Sequence, residues 1–167
     1  TISRLPDEKL TDEKFLPSVL RTWMGDGLII LYNSRIPARL IELIKRFRIP
    51  AVWINADLPY DSIFPDEQGA ACQATRRLLK AQPGPVYYGD FTYPTEAPEA
   101  HFSARARYEG YAQAMAEAGR SPLFMGTGQR IERMERLPYL NQWLAGQKSP
   151  FGVLCVASST ALPLCHA

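Results

Sequence analysis

The feature that most constrains this chain is an alternation: short apolar runs bounded by turn residues recur between stretches with helical periodicity. Leu28-Ile29-Ile30-Leu31-Tyr32 is such a run, set between Gly25-Asp26-Gly27 and a helix-like segment from Pro37 to Phe47. An unbroken apolar run too short to be a helix has no polar side to turn to water, so it belongs in a strand buried on both faces. Strands of this kind joined by helices build parallel sheets flanked by helices, and the chain is predicted to be an α/β protein.

The rhythm continues along the sequence. Thr11-Asp12-Glu13 opens a predicted helix reaching about Met24, with Phe15, Val19, Leu20 and Trp23 on one face. Leu40, Ile41, Leu43 and Ile44 give the helix after Leu28–Tyr32 its apolar side. Ile49-Pro50 closes that helix, because a residue before proline avoids the α region, and Ala51-Val52-Trp53-Ile54 is the next strand. An Asp- and Pro-rich loop follows. Asp66-Glu67-Gln68 starts a helix carrying Ala70, Ala71, Ala74, Leu78 and Leu79, which ends near Gln82-Pro83-Gly84-Pro85. Val86-Tyr87-Tyr88 reads as a strand, Asp90 to His101 as a polar loop, and Ser103 to Ala118 as a helix closed by Gly119. A strand at Leu123-Phe124-Met125, a helix across Ile131 to Leu144, a strand at Gly152 to Val156 and a final helix disturbed by Pro163 complete the pattern.

Composition narrows the function classes. A hydrophobic content of 46% in 167 residues supports a real core. The net charge of +2 comes from scattered basic residues, with no stripe suited to a phosphate backbone, so this segment is a poor DNA binder by itself. Cys72, Cys155 and Cys165 are odd in number and lack zinc-type spacing, which favours reduced thiols and a cytoplasmic setting over a disulfide framework. No apolar run approaches a membrane span and no export signal opens the chain, although Thr1 in place of methionine leaves room for a removed leader. His101 and His166 have no HExxH spacing, no Gly-x-Ser-x-Gly elbow occurs, and Gly126-Thr127-Gly128 lacks the remaining parts of a phosphate loop. No catalytic residue, metal ligand or cofactor site is expected, and the chain is read as no enzyme.

Four segments, in order, carry a family resemblance. Asp26-Gly27-Leu28-Ile29-Ile30, Ile49-Pro50-Ala51-Val52, Ile63 to Ala70, and Ser103-Ala104-Arg105-Ala106-Arg107-Tyr108-Glu109-Gly110-Tyr111 together resemble the effector-binding core of LacI/GalR-type transcription regulators. The resemblance implies a two-lobed, periplasmic-binding-protein-like α/β fold, with residues 1–64 as part of an N-terminal lobe and 65–167 as part of a C-terminal lobe. It further implies a small-molecule effector, here a sugar, whose binding closes the lobes and controls DNA binding by a domain outside this chain, in a homodimer with no membrane partner. On this resemblance the chain is truncated at both ends. Arg21 to Gly27, with Leu140-Asn141-Gln142-Trp143-Leu144, is similar to the xylose operon regulators, which fuse such a sensor to an AraC-type DNA-binding domain. The competing reading of the same fold is a periplasmic sugar-binding protein of a transport system.

Ligands in open parallel sheets lie outside the carboxyl ends of the strands, which selects the candidate contacts. Arg107, in the first turn of its predicted helix, is a cation near a positive helix end and should have a partner. Its guanidinium suits two neighbouring hydroxyls or a carboxylate, the alternative being a surface arginine or a pair with Glu109 or Glu99. Asn55, directly after a strand, offers both donor and acceptor, or is an ordinary turn asparagine. Asp66 and Ser103 are either ligand contacts or helix caps. Tyr32 and Asn33 close their strand on the same expected edge. Trp53, Phe91 and Tyr93 could stack on a sugar face or fill core, with one of the three expected at the ligand. Ser158-Ser159 stands where the family often has Asn-Asp, which weakens any ligand contact there.

Overall fold

A computed structural model of the chain describes residues 26–31, 36–81, 84–91, 101–126, 130–148 and 150–167. The chain divides into two compact units, Thr1–Pro65 and Asp66–Ala167. The predicted helix over 11–24, Tyr32, Asn33, Tyr93, Glu99 and the Thr127-Gly128 pair lie outside the described residues.

The first unit contains β1 (Leu28–Leu31), α1 (Ala38–Arg46), β2 (Ala51–Ile54) and β3 (Ser62–Ile63), with the strands parallel in the order β1-β2-β3. In β1 and β2, Leu28 pairs with Ala51 and Leu31 with Ile54. The pleat sends Leu28, Ile30 and Trp53 towards one core with Leu40 and Ile44 of α1. The same pleat sends Ile29, Leu31, Val52 and Ile54 the other way, where all four are exposed. The expected burial of β1 on both faces therefore holds for one face. α1 ends in a Schellman turn: Arg48 takes φ 51°, the Arg48 N–H donates to Lys45 O at 3.1 Å, and the Ile49 N–H donates to Ile44 O at 3.1 Å.

Strand β3 lies where the sequence suggests only an Asp- and Pro-rich loop. Its short link to β2 works because Asn55 (φ 59°) and Asp61 (φ 46°) both adopt the left-handed conformation, which Asn and Asp tolerate better than other side chains. The turn then returns the chain parallel to β2, with the Trp53 N–H on Asp61 O and the Asn55 N–H on Ile63 O, both at 2.8 Å.

The second unit runs α2 (Glu67–Ala81), β4 (Val86–Gly89), α3 (Phe102–Glu117), β5 (Leu123–Phe124), α4 (Arg136–Ala145), β6 (Gly152–Cys155) and α5 (Ser158–His166). Its strands are parallel in the order β5-β4-β6. Alternation along β4 feeds two cores. Val86 and Tyr88 pack with Tyr111 and Met115 of α3, while Tyr87 packs with Phe91, Met125, Ile131 and Leu140 on the α4 side. Trp53 and Phe91, considered as sugar stackers, are both core residues at 2% and 0% exposure.

The Arg-x-x-Gly-aromatic motif has a packing explanation. A Cβ at Gly110 would collide with the Gln68 carbonyl oxygen and approach Cys72 N to 3.0 Å, so only glycine lets α3 lie this close to α2. Tyr111 next to it reaches across the sheet: its hydroxyl lies 2.8 Å from Val86 O and accepts from the Leu123 N–H at 2.8 Å. Gly119 (φ 68°) ends α3 as expected.

One helix boundary and one helix interior differ from the sequence reading. α4 begins at Arg136 rather than Ile131, because an earlier start would put Pro138 inside the helix, where it lacks a donor and clashes with the preceding turn. α5 in contrast accommodates Pro163. Proline cannot donate to the Ser159 carbonyl four residues back, and Arg136 Nη1 donates to that oxygen at 3.4 Å.

Candidate functional site

At the carboxyl ends of the second sheet, Arg107 ties three elements together. α3 begins at Phe102, so Arg107 lies past the first turn, and its charge is answered by Glu67 in the first turn of α2 rather than by Glu109. Arg107 Nε donates to Glu67 Oε2 at 2.7 Å and Nη2 donates to Oε1 at 2.8 Å, a bidentate fork. Nη1 donates to the Val156 carbonyl just after β6 at 2.9 Å. The pair is largely sheltered, with side-chain exposures of 29% for Arg107 and 16% for Glu67. A guanidinium has five N–H groups, so two are left uncommitted among the described residues.

The electrostatics follow from this geometry. The hydrogen bonds from Arg107 hold the Glu67 carboxyl below the usual glutamate range, against an opposing effect of burial. Glu67 in turn raises Arg107, so each partner favours the charged form of the other. Glu67 also sits where the positive end of the α2 dipole favours a carboxylate. Asp90, at the end of β4, is within electrostatic reach of Arg107 and Tyr88. Burial pushes the Tyr88 phenol well up, and its hydroxyl donates to Ala104 O at 3.1 Å.

The other predicted residues sort differently. Ser103 lies one turn before Arg107 on the same side of α3, but it is buried and occupied: its N–H donates to His101 Nδ1 at 3.3 Å and its hydroxyl lies 2.8 Å from that nitrogen. His101, not Ser103, is the N-cap of α3. Because a backbone N–H can only donate, Nδ1 is the acceptor in that contact. Asp66 is exposed and caps α2, its Oδ1 accepting from the Gly69 N–H at 2.8 Å. Asn55, in the first unit, forms the left-handed turn after β2. Tyr32 and Asn33 are outside the described residues.

Glu67, the Val156 carbonyl, Asp90 and His101 were not singled out by sequence. The acidic helix start at Asp66-Glu67 is a visible signal, but a dipole-compatible acid does not say which cation it will meet.

Beneath the ion pair a concavity of about 210 Å³ runs between α2 and β6, lined by Glu67, Ala70, Ala71, Ala74, Arg107, Leu154, Cys155 and Val156. Its walls are methyl groups and a thiol that burial pushes up, and Glu67 and Arg107 are its charged lining residues. Among the described residues no group of three His, Cys, Asp or Glu side chains could hold a metal ion, and no helix is long and apolar enough to cross a membrane.

No family model matches the chain, and no curated protein matches it. Solved structures do. A probable maltose operon transcriptional repressor from Staphylococcus aureus is similar with a TM-score of 0.64 at 15% identity, over 89% of this chain and 52% of that one. A LacI-family transcriptional regulator from Corynebacterium glutamicum gives 0.55 at 17% identity, over 87% and 48%. The transcriptional regulator CelR in complex with cellobiose gives 0.61 at 16% identity, over 88% and 45%. These likenesses establish the fold: parallel sheets flanked by helices, in the periplasmic-binding-protein-like class that these regulators adopt. The chain spans about half the length of the regulators it matches.

Proposed function

We propose that this chain is the effector-sensing part of a cytoplasmic transcription regulator and works by binding, not catalysis. The observation that carries the reading is Arg107, fixed at the carboxyl ends of β4 and β6 by Glu67 and the Val156 carbonyl with two N–H donors uncommitted among the described residues. Donors held rigidly at that edge of a parallel sheet are what a small hydroxylated ligand requires. A sugar is the proposed effector, and a regulator of the same fold forms a complex with cellobiose.

Arg107 is the anchor in this proposal, whereas Ser103 is taken up by His101. Asp66 acts as a helix cap. Effector binding would favour a closed arrangement and so change DNA binding by a domain outside this sequence, in a homodimer; this requires that the two states differ in affinity for the ligand.

A thermal-shift screen of the full-length sensor against pentoses, hexoses and purines tests the reading, with pentoses first because of the likeness to xylose operon regulators. The expected result is a raised melting temperature with at least one sugar, lost in Arg107→Ala. If no sugar stabilises the protein and Arg107→Ala leaves every other response unchanged, the assignment of the site fails.

A further inference from the structure

Glu67 decides what Arg107 can still do. We propose that Glu67 is a positioning residue that orients Arg107 and cancels its charge, so that this end of the sheet accepts neutral, hydroxyl-bearing ligands and turns away oxyanions. This rests on the reading of Arg107 as the effector anchor and adds to it a rule of selection.

The geometry supplies the first half of the argument. An arginine grips a carboxylate or phosphate best through two parallel N–H groups on one side of the guanidinium. Here that side, Nε and Nη2, is already filled by both oxygens of Glu67 at 2.7 and 2.8 Å. Nη1 is turned to the Val156 carbonyl at 2.9 Å. What is left among the described residues is one donor on each terminal nitrogen, enough to serve the oxygens of neighbouring hydroxyls.

Charge supplies the second half. Glu67 neutralises Arg107, and Asp90 adds another carboxylate within electrostatic reach of the guanidinium. An incoming oxyanion would meet a guanidinium whose charge Glu67 already cancels and whose side-on fork is filled, and would lose hydration with little in return. A neutral hydroxyl loses less hydration and gains charge-assisted donors.

The test uses the full chain, inorganic phosphate as probe, and the Arg107 Nε–H resonance as readout. In the wild type that resonance is expected to carry the downfield shift of a carboxylate-bound guanidinium and to stay fixed as phosphate is raised through the millimolar range. Glu67→Gln frees the fork and the charge. Its Arg107 resonance should move upfield and then titrate with phosphate, at least about tenfold more tightly than in the wild type. Glu67→Asp, which keeps the charge, should restore exclusion. A role confined to stability would change none of these titrations.

Two results would overturn the proposal: phosphate shifting the wild-type Arg107 resonance as strongly as in Glu67→Gln, or a folded Glu67→Gln with a released Arg107 that gains no phosphate affinity. Should Glu67→Gln fail to fold, the wild-type and Glu67→Asp titrations decide alone, and phosphate binding at Arg107 in either one sinks the idea. A sensor that answers to no sugar would undo the effector assignment while leaving these titrations intact.

Discussion

Tyr88 in the second sheet and Trp53 in the first are equally well buried, at 1% and 2% exposure, yet the strands around them are in different situations. The neighbours of Tyr88 that point the other way, Tyr87 and Val153, pack with Met125 and Leu140 in a second core. The neighbours of Trp53 that point the other way belong to a face on which Ile29 is 78% and Ile63 64% exposed. Both sheets are parallel and apolar in composition. Apolar composition therefore reports that a strand has one buried face, and the second face depends on what the rest of the fold lays over it.

The largest effects should come from the doubly covered sheet. Tyr111→Ala removes a fully buried ring from the Val86–Tyr88 core and is expected to cost about 3–5 kcal/mol in chemical denaturation. Tyr111→Phe keeps the ring but leaves the Leu123 N–H without its acceptor, which should cost about 1–3 kcal/mol. A Tyr111→Ala loss no greater than that of Tyr111→Phe would show that the ring contributes little and that the sheet is less well sealed than its exposure indicates.

Next in size is the ion pair at the sheet's edge. Arg107→Ala leaves Glu67 sheltered and without its cation, at an expected cost of about 1–3 kcal/mol, below that of a fully buried pair because some side-chain surface stays wet. Arg76→Ala, which breaks the exposed Arg76–Glu117 pair (48% and 44%), should change stability by no measurable amount. The pH dependence has a definite sign. Glu67 is held below its ordinary value of 4.5, so its contribution is complete above that value and is lost as pH falls through the depressed folded value. Melting curves of wild type and Glu67→Gln should thus differ at neutral pH and converge in acid; parallel curves would mean that the carboxylate contributes nothing.

How far the sequence could be read follows the same division. The strand cores, α1, α2 and α3 were legible because periodicity is local, and Gly119 announced the end of α3. The end of α1 was legible only through Ile49-Pro50, since the residue that takes the left-handed turn is Arg48, which has no sequence signature for it. β3 was missed because two residues cannot show an alternation. Arg107 stood out as a cation near a helix start, but its partner lies 40 residues away on another helix, and only the packing of α2 on α3 brings the two together. For the same reason Ser103 and Asp66 could be marked as polar helix starts without telling cap from contact.

Arg48 offers a smaller test of the first unit. A non-glycine residue at φ 51° is strained, so Arg48→Gly should stabilise by about 0.5–1 kcal/mol, as glycine already relieves the matching turn at Gly119. Its effect in denaturant melts would be absent if the turn relaxes in solution.

The smallest expected effect bears most directly on the contrast between the sheets. Ile29 adds little apolar burial at 78% exposure, so Ile29→Thr, which keeps the β-branched shape suited to a strand, should change stability by no more than about 0.5 kcal/mol. Ile30→Thr one residue on, facing the Trp53 core, provides the internal reference and should lose considerably more. Equal losses at the two positions would mean that the outer face of the first sheet is covered in solution as fully as the inner one. The two sheets would then differ in what covers them and no longer in how many faces are covered.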